Sequence, residues 1–200
     1  MKSRALSILS KLVVLVAAVV SGTVFAGPIQ FIYTGTGSGT SNGNAFSNAA
    51  FTITETADTS LRQACGAGCF FIDDKTASIN IAGVGSLTFV TGTRTLISGS
   101  EVFFARASFT GSDLFDGPAN AALSGYDLLT SIGPITGSGS LAQWTSPSVV
   151  TSGGVLIFTN GISDASFRAI AGIASVPEPQ TWFLLGAGAL GFGLARRKRT

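Results

Sequence analysis

Apolar and small polar residues alternate with a period of two along the middle of the chain. In AAFTITETADT, Ala49, Phe51 and Ile53 share one face while Thr52 and Thr54 take the other. ASINIAGVGSLTFV repeats the pattern with Ala77, Ile79 and Ile81, then Leu87 and Phe89. EVFFARASF places Phe103, Ala105, Ala107 and Phe109 on one side, and ASFRAIA alternates as well. A period of two is the mark of a half-buried strand. GGVLIF supplies a continuous apolar strand, Val155 to Phe158, and the Asn160-Gly161 dipeptide that follows predicts a tight hairpin with a type I′ turn. No stretch between the two ends carries a helical period, and turn signals recur about every ten residues. The expected class is all-β, an antiparallel β-sandwich or jelly-roll-like domain, with most phenylalanines in its core.

The ends read differently. Lys2, Arg4 and Lys11 stand beside an apolar stretch, Leu12 to Val20, followed by Val24-Phe25-Ala26 with small residues near the junction. This is the layout of a secretory signal peptide, residues 1–26, helical and cut between Ala26 and Gly27. At the other end an apolar run, Trp182 to Ala195, closes on Arg196, Arg197, Lys198 and Arg199. A helix over residues 181–195 rises about 22 Å, short against a hydrocarbon core of about 30 Å but within what snorkelling and local thinning accommodate. A basic cluster directly after the span faces the cytoplasm by the positive-inside rule. Gly186, Gly188 and Gly191 within that run have the G-x-G-x-x-G spacing of a dinucleotide-binding turn. That fingerprint needs a preceding strand, a following helix and an acid about 20 positions on, which the nine residues after Gly191 do not supply. The glycines are read as small residues of a membrane helix.

The formal charge of +2 belongs to these ends. Between residues 27 and 175 there are nine acids and five bases, a difference of −4, which argues against nucleic acid as a partner. Histidine is absent from the whole chain. Imidazole is the usual general base near neutral pH and the commonest transition-metal ligand, so no Ser-His-Asp triad can be built. GTSNG, residues 39 to 43, matches a nucleophile elbow by letters, and Ser41 is read instead as part of a turn-rich loop. Cys65 and Cys69, in CGAGC, are the only cysteines and are expected to bridge after export, with Gly66 and Gly68 letting the corner close. Zinc needs about four ligands and has no others to recruit. The acids at Asp73-Asp74 and at Asp113 and Asp116 fit no EF-hand spacing. No metal and no cofactor is expected.

VPEPQTWFLLGAGALGFGLARRKR joins three parts in order: Pro177-Glu178-Pro179, a short glycine-containing span from Trp182, and the terminal Arg-Arg-Lys-Arg cluster. Two prolines flanking Glu178 cannot both sit inside a helix, so they hold the tripeptide extended outside the bilayer. This arrangement resembles a PEP-CTERM sorting segment. The resemblance implies a substrate of exosortase, an integral membrane cysteine transpeptidase of exopolysaccharide-producing Gram-negative bacteria that processes such proteins for the cell surface or extracellular matrix. The expected organisation is signal peptide 1–26, all-β ectodomain 27–175 and sorting segment 176–199, with the Sec export machinery, exosortase and the membrane as partners. The expected function is that of a non-enzymatic surface or matrix protein. Its alternative is a lectin-like module for the producer's own polysaccharide, for which any two of Trp144, Tyr33 and Tyr126 on one exposed sheet face would speak. A hydrolase using paired carboxylates would need two acids facing one cleft.

Overall fold

A computed structural model describes residues 27–107, 112–159 and 164–172. The signal segment, the sorting segment with its span, and the Asn160-Gly161 dipeptide lie outside the described residues. The domain is nearly all antiparallel β, in two packed sheets, as the alternation predicts.

The larger sheet is organised by β1, Pro28–Ser41, and β2, Asn44–Asp58, which pair along almost their whole length. Asn42 and Gly43 join them in a two-residue turn with φ of 49° and 82°, left-handed at both positions as a type I′ turn requires. Ser41 is therefore the last residue of β1, buried and paired with Asn44, rather than part of a loop. Beyond β2 come β5, Thr76–Ile81, and β6, Gly85–Thr88. On the other side of β1 lie β14, Ala165–Ala171, which pairs with Ile29 to Thr34, and β13, Gly154–Phe158, which pairs with Gly39 to Ser41. The outermost strand beyond β14 is β10, Ile132–Gly137. β12, Val149–Thr151, pairs with β13, and Phe89 just after β6 bridges to Thr151. At that end the sheet curls round until its two margins meet.

The smaller sheet runs in the order β11-β9-β8-β7-β4-β3, with β3 at Gln63–Gly66, β4 at Cys69–Asp73, β7 at Thr93–Ser98, β8 at Glu101–Arg106, β9 at Asp113–Ala119 and β11 at Ser140–Leu141. A disulfide joins Cys65 to Cys69 across the tip of the β3–β4 hairpin. Inward residues of both sheets form one core that includes Ile29, Phe31, Phe51, Ile53, Ile79, Phe104, Phe115 and Phe167.

Two expectations from the alternation need correcting. Ala165, Phe167 and Ala169 are buried as ASFRAIA suggests, but on β8 the buried set is Val102, Phe104, Ala105 and Arg106, while Phe103 is half-buried. The pairing of β8 with β9 shifts between Phe104 and Ala105, so the parity of the strand changes there. The hairpin expected after Phe158 is not formed by its flanking strands: β13 and β14 pair with successive stretches of β1 and not with each other.

The glycines of β1 follow from this shared edge. Register shifts between Gly37 and Gly39, where the partner on one side changes from β14 to β13. A Cβ on Gly37 would stand 2.7 Å from the Phe158 ring, and one on Gly39 would overlap the Ile157 carbonyl oxygen. A strand interior accepts glycine where another backbone comes this close. Gly39→Ala is expected to cost about 2–4 kcal/mol, since the obstacle is main chain and cannot swing away. A denaturant titration in which this variant unfolds with the wild type would contradict the close approach. Loss of the disulfide in Cys65→Ser/Cys69→Ser should cost less than the roughly 3 kcal/mol of a 15-residue loop, because it closes only a hairpin tip. A larger loss of stability in the same assay would make it a support of the whole fold.

Candidate functional site

The three aromatic residues expected on an exposed face are all in the core. Tyr33 is 0%, Trp144 1% and Tyr126 8% exposed. Trp144 Nε1 donates to the Leu114 carbonyl at 2.6 Å, and its ring packs edge-on against Phe158 at 4.7 Å between centroids. The Tyr126 hydroxyl donates to the Thr130 carbonyl at 2.8 Å. A stacking platform built from these side chains is thereby ruled out; each ring fills interior volume and satisfies its one polar group locally.

What the larger sheet does present outward is hydroxyl. The registers place Thr136, Ser166, Thr34, Thr52, Asn80 and Ser86 side by side across six strands. The Thr34 and Ser166 hydroxyls lie 2.8 Å apart and hydrogen-bond one another. Beside this row, Ser78, Thr88, Thr56 and Thr76 extend the polar face, and the Thr76 hydroxyl lies 3.1 Å from that of Thr56. Arg168 is set among these rows, and the Asp58–Lys75 ion pair borders them beyond Thr56. An open groove of about 700 Å³ runs along the first row, walled by Thr34, Thr36, Thr52, Thr136 and Ser166 with Asp164 at its side. The surface is rich in hydroxyl donors and acceptors, with Arg168 and Asp164 as charged groups beside them.

Acidic side chains gather in two places. Glu101 and Asp116 line a shallow groove of about 230 Å³ with Ser138, Gly139 and Ser140. Burial, with repulsion from Asp113 and Glu101, pushes the Asp116 carboxyl up to about 6, against a Ser140 hydroxyl 3.3 Å away that favours its ionised form. Burial also raises Asp113. The second place is inside the sandwich, where Glu55 and Asp74 face each other; Glu55 is 0% exposed. Among the described residues no group of three or more His, Cys, Asp or Glu could hold a metal ion.

The two ends of the domain come together. Gly27, the residue after the expected cleavage point, donates its backbone N–H to Thr59 Oγ1 at 2.8 Å, and the Thr59 N–H returns a bond to the Gly27 carbonyl at 3.0 Å. Gly172, just past β14, donates to the Pro28 carbonyl at 3.1 Å. Gly27 and Gly172 therefore lie at the same end of the larger sheet. From Gly172 to Pro177 is five residues, a reach of at most about 18 Å, so the Pro-Glu-Pro tripeptide follows directly on the folded domain. Residues 175–199 match the profile of the PEP-CTERM protein-sorting motif.

The chain carries a PEP-CTERM sorting motif.

The match spans Pro177, Glu178 and Pro179, the apolar run and the basic cluster Arg196 to Arg199, the same residues that carry the resemblance in the sequence. No curated protein and no solved structure matches the chain. The PEP-CTERM motif implies export, sorting at a membrane and exosortase as the processing partner. Among the described residues no helix is long and apolar enough to cross a membrane; the expected span at 181–195 lies outside them. Sequence reasoning found the PEP-CTERM segment because it is a linear arrangement of unlike parts. It missed the hydroxyl face, although Thr52 and Thr54 on the polar side of β2 were its first sign.

Cleavage between Ala26 and Gly27 would leave a terminal amino group where Gly27 N now meets Thr59, an interaction such a group retains. N-terminal sequencing of the exported protein is expected to begin at Gly27. Recovery of Met1 there would mean that the leader stays attached.

Proposed function

We propose that this is a non-enzymatic protein of the cell surface or extracellular matrix, delivered by a cleaved signal peptide and released or transferred from the inner membrane by exosortase. The PEP-CTERM motif at residues 175–199 carries the reading, and the short reach between Gly172 and Pro177 supports it. With so few residues between fold and tripeptide, the domain stands against the membrane as a compact head while the tail is engaged. The chemistry of processing belongs to the other protein. A chain without histidine, whose buried aromatic rings are structural, has the composition of a building element rather than of a catalyst.

The decisive residues are Pro177, Glu178 and Pro179, with Arg196 to Arg199 setting the register of the span. Glu178→Ala or Pro177→Ala is expected to leave export intact and to trap the protein in the inner membrane with its tail uncut. The mature C-terminus and compartment of each variant, compared in strains with and without exosortase, test this. A wild-type tail retained in both strains, or removed equally in both, would reduce the tripeptide to a linker.

A second reading, binding of the producer's own neutral polysaccharide, is favoured by the uncharged hydroxyl rows on the outer face of the larger sheet. Thr52→Lys puts a bulky charge in the middle of that face and is expected to abolish co-sedimentation with the native polysaccharide while leaving sorting unchanged. Equal sedimentation of variant and wild type would remove the second reading and leave the first intact. The same material reports on catalysis: release of reducing ends that Asp116→Asn abolishes would turn the Glu101 and Asp116 groove into an active site and overturn the non-enzymatic reading.

A further inference from the structure

Phe51, Ile53, Glu55 and Ala57 fall on the inward face of β2, so a carboxyl stands in a row of core side chains. Glu55 Oε2 accepts a hydrogen bond from the Thr95 hydroxyl of β7. The Tyr33 hydroxyl of β1 shares its hydrogen between Thr95 Oγ1 and the Phe103 carbonyl, each 3.1 Å away. This chain of hydroxyls ties the larger sheet to the smaller one through the middle of the sandwich. On its other side Glu55 meets Asp74, which sits in the connection from β4 to β5 with its backbone N–H donating to the Thr93 carbonyl at 3.0 Å.

Glu55 Oε1 and both carboxyl oxygens of Asp74 are shut off from solvent, and besides one another and Thr95 the pair has only the Thr93 hydroxyl, beside Asp74, and the more distant charge of Arg94 to favour an ionised form. The charged and titratable groups facing the pair are few. Asp73, next in the chain, adds negative charge, and Arg94 of β7 spends its guanidinium on Asp73 at 2.9 Å and on the face of Phe71. Lys75 turns outward to Asp58 at 3.0 Å. Tyr33 and, beyond it, Tyr126 are neutral phenols. Two buried carboxylates with no cation between them repel, whereas one proton placed between them turns an unpaired oxygen into a donor and its neighbour into an acceptor.

We propose that Glu55 and Asp74 hold one shared proton and form a pH-sensitive clasp between the two sheets, closed in mild acid and loosened as the pH rises. Burial is the main cause in both: it raises Glu55 well above its ordinary value and pushes Asp74 up to about 6. A carboxyl whose value is raised on folding contributes stability that is complete at low pH and lost as the pH climbs through the folded value. For Asp74 the window runs from the ordinary 3.8 up to about 6. Asp116, also raised to about 6, acts in the same direction from the far end of the smaller sheet, so the two sources must be separated by substitution.

The full-length chain in detergent micelles is unfolded thermally at pH values from 5 to 8. The wild-type Tm is expected to fall by several degrees across this range. Glu55→Gln, which supplies a permanent amide donor to Asp74, is expected to flatten most of the fall and to unfold above the wild type at pH 8, whereas Asp116→Asn keeps most of it. A wild-type Tm that is level or rises with pH, or a Glu55→Gln variant that falls as steeply as the wild type, overturns the clasp. A second measurement needs no folded variant at position 55. The chain has three glutamates, Glu55, Glu101 and Glu178, so labelling their side-chain carboxyl carbons gives three NMR signals, of which Glu101→Gln removes one. One of the two that remain is expected to titrate well above the ordinary carboxylate range. If both titrate as ordinary glutamates, no proton is held in the core.

Discussion

The close approach of β13 to β1 is the constraint on which the rest of the sandwich turns. β1 runs for 14 residues and pairs with β2 along one side, while its other side is divided between β14 and β13. Two strands can share one edge only if the edge bends between them, and the bend is the register shift at Gly37 and Gly39. Past the bend β13 lies so close that no Cβ fits at Gly39. The same bend directs β13 and its partner β12 round towards Phe89, which closes the larger sheet at that end. Closure lets Trp144, Phe158, Leu156 and Val149 meet Phe51 and Phe89 in one packed interior. Burial of such side chains contributes about 1.5–3 kcal/mol each, the bulk of what opposes chain entropy.

Within that apolar volume the polar groups are placed sparingly and joined to one another. Tyr33, Thr95 and Glu55 make a continuous string across the gap between the sheets. Arg106, 1% exposed on β8, donates from Nη2 to the carbonyls of Gln143 and Pro147 and so holds the connection from β11 to β12 against the core. Such groups are costly to bury, and a partly satisfied string costs more than an apolar one of the same shape. Their gain lies in specificity. A slipped register on β2 would turn Glu55 outward and leave the Thr95 hydroxyl without its acceptor, whereas a purely apolar face tolerates more than one alignment.

Legibility in the sequence followed how each strand meets the core. β2, β5 and β14 face apolar side chains on one side and water on the other, and their period of two is plain in FTITET, ASINI and ASFRAIA. β1 does not show as a strand in the sequence because most of its inward positions past Tyr33 are glycines, kept small at Gly37 by the Phe158 and Leu141 side chains and at Gly39 by the backbone of β13. Asn42-Gly43 and Asn160-Gly161 are the same dipeptide between apolar strands, and only the pairing of the flanking segments tells that the hairpin belongs to the first. Glu55 was legible by parity, two positions past Ile53, whereas Arg106 was not, because the parity of β8 changes between Phe104 and Ala105. A charge on an inward position was the available sign of the buried polar string. The sorting segment needed no three-dimensional context, because its three unlike parts stand in order along the chain.

An exported domain with so much strand has to keep its edges from pairing with other copies, and each free edge here is blocked by a different device. β3 is only four residues long, exposed throughout, and pinned at its tip by the Cys65 to Cys69 bridge. β10 carries Pro134, which donates nothing to a further strand, and its pairing with β14 is interrupted between Ile132 and Ile135. β11 is a two-residue edge beside β9. The margin at β6 has no free edge where it meets Thr151, since Ser152 N–H donates to Thr88 and Val90 N–H to Val150 across the closure. Short, interrupted or closed edges of this kind suppress strand addition. The outer face of the larger sheet is left unobstructed among the described residues, and it is rich in threonine, serine and asparagine with Arg168 among them. Binding of the proposed polysaccharide there would have to proceed by hydroxyl hydrogen bonds in competition with water, which would make it reversible.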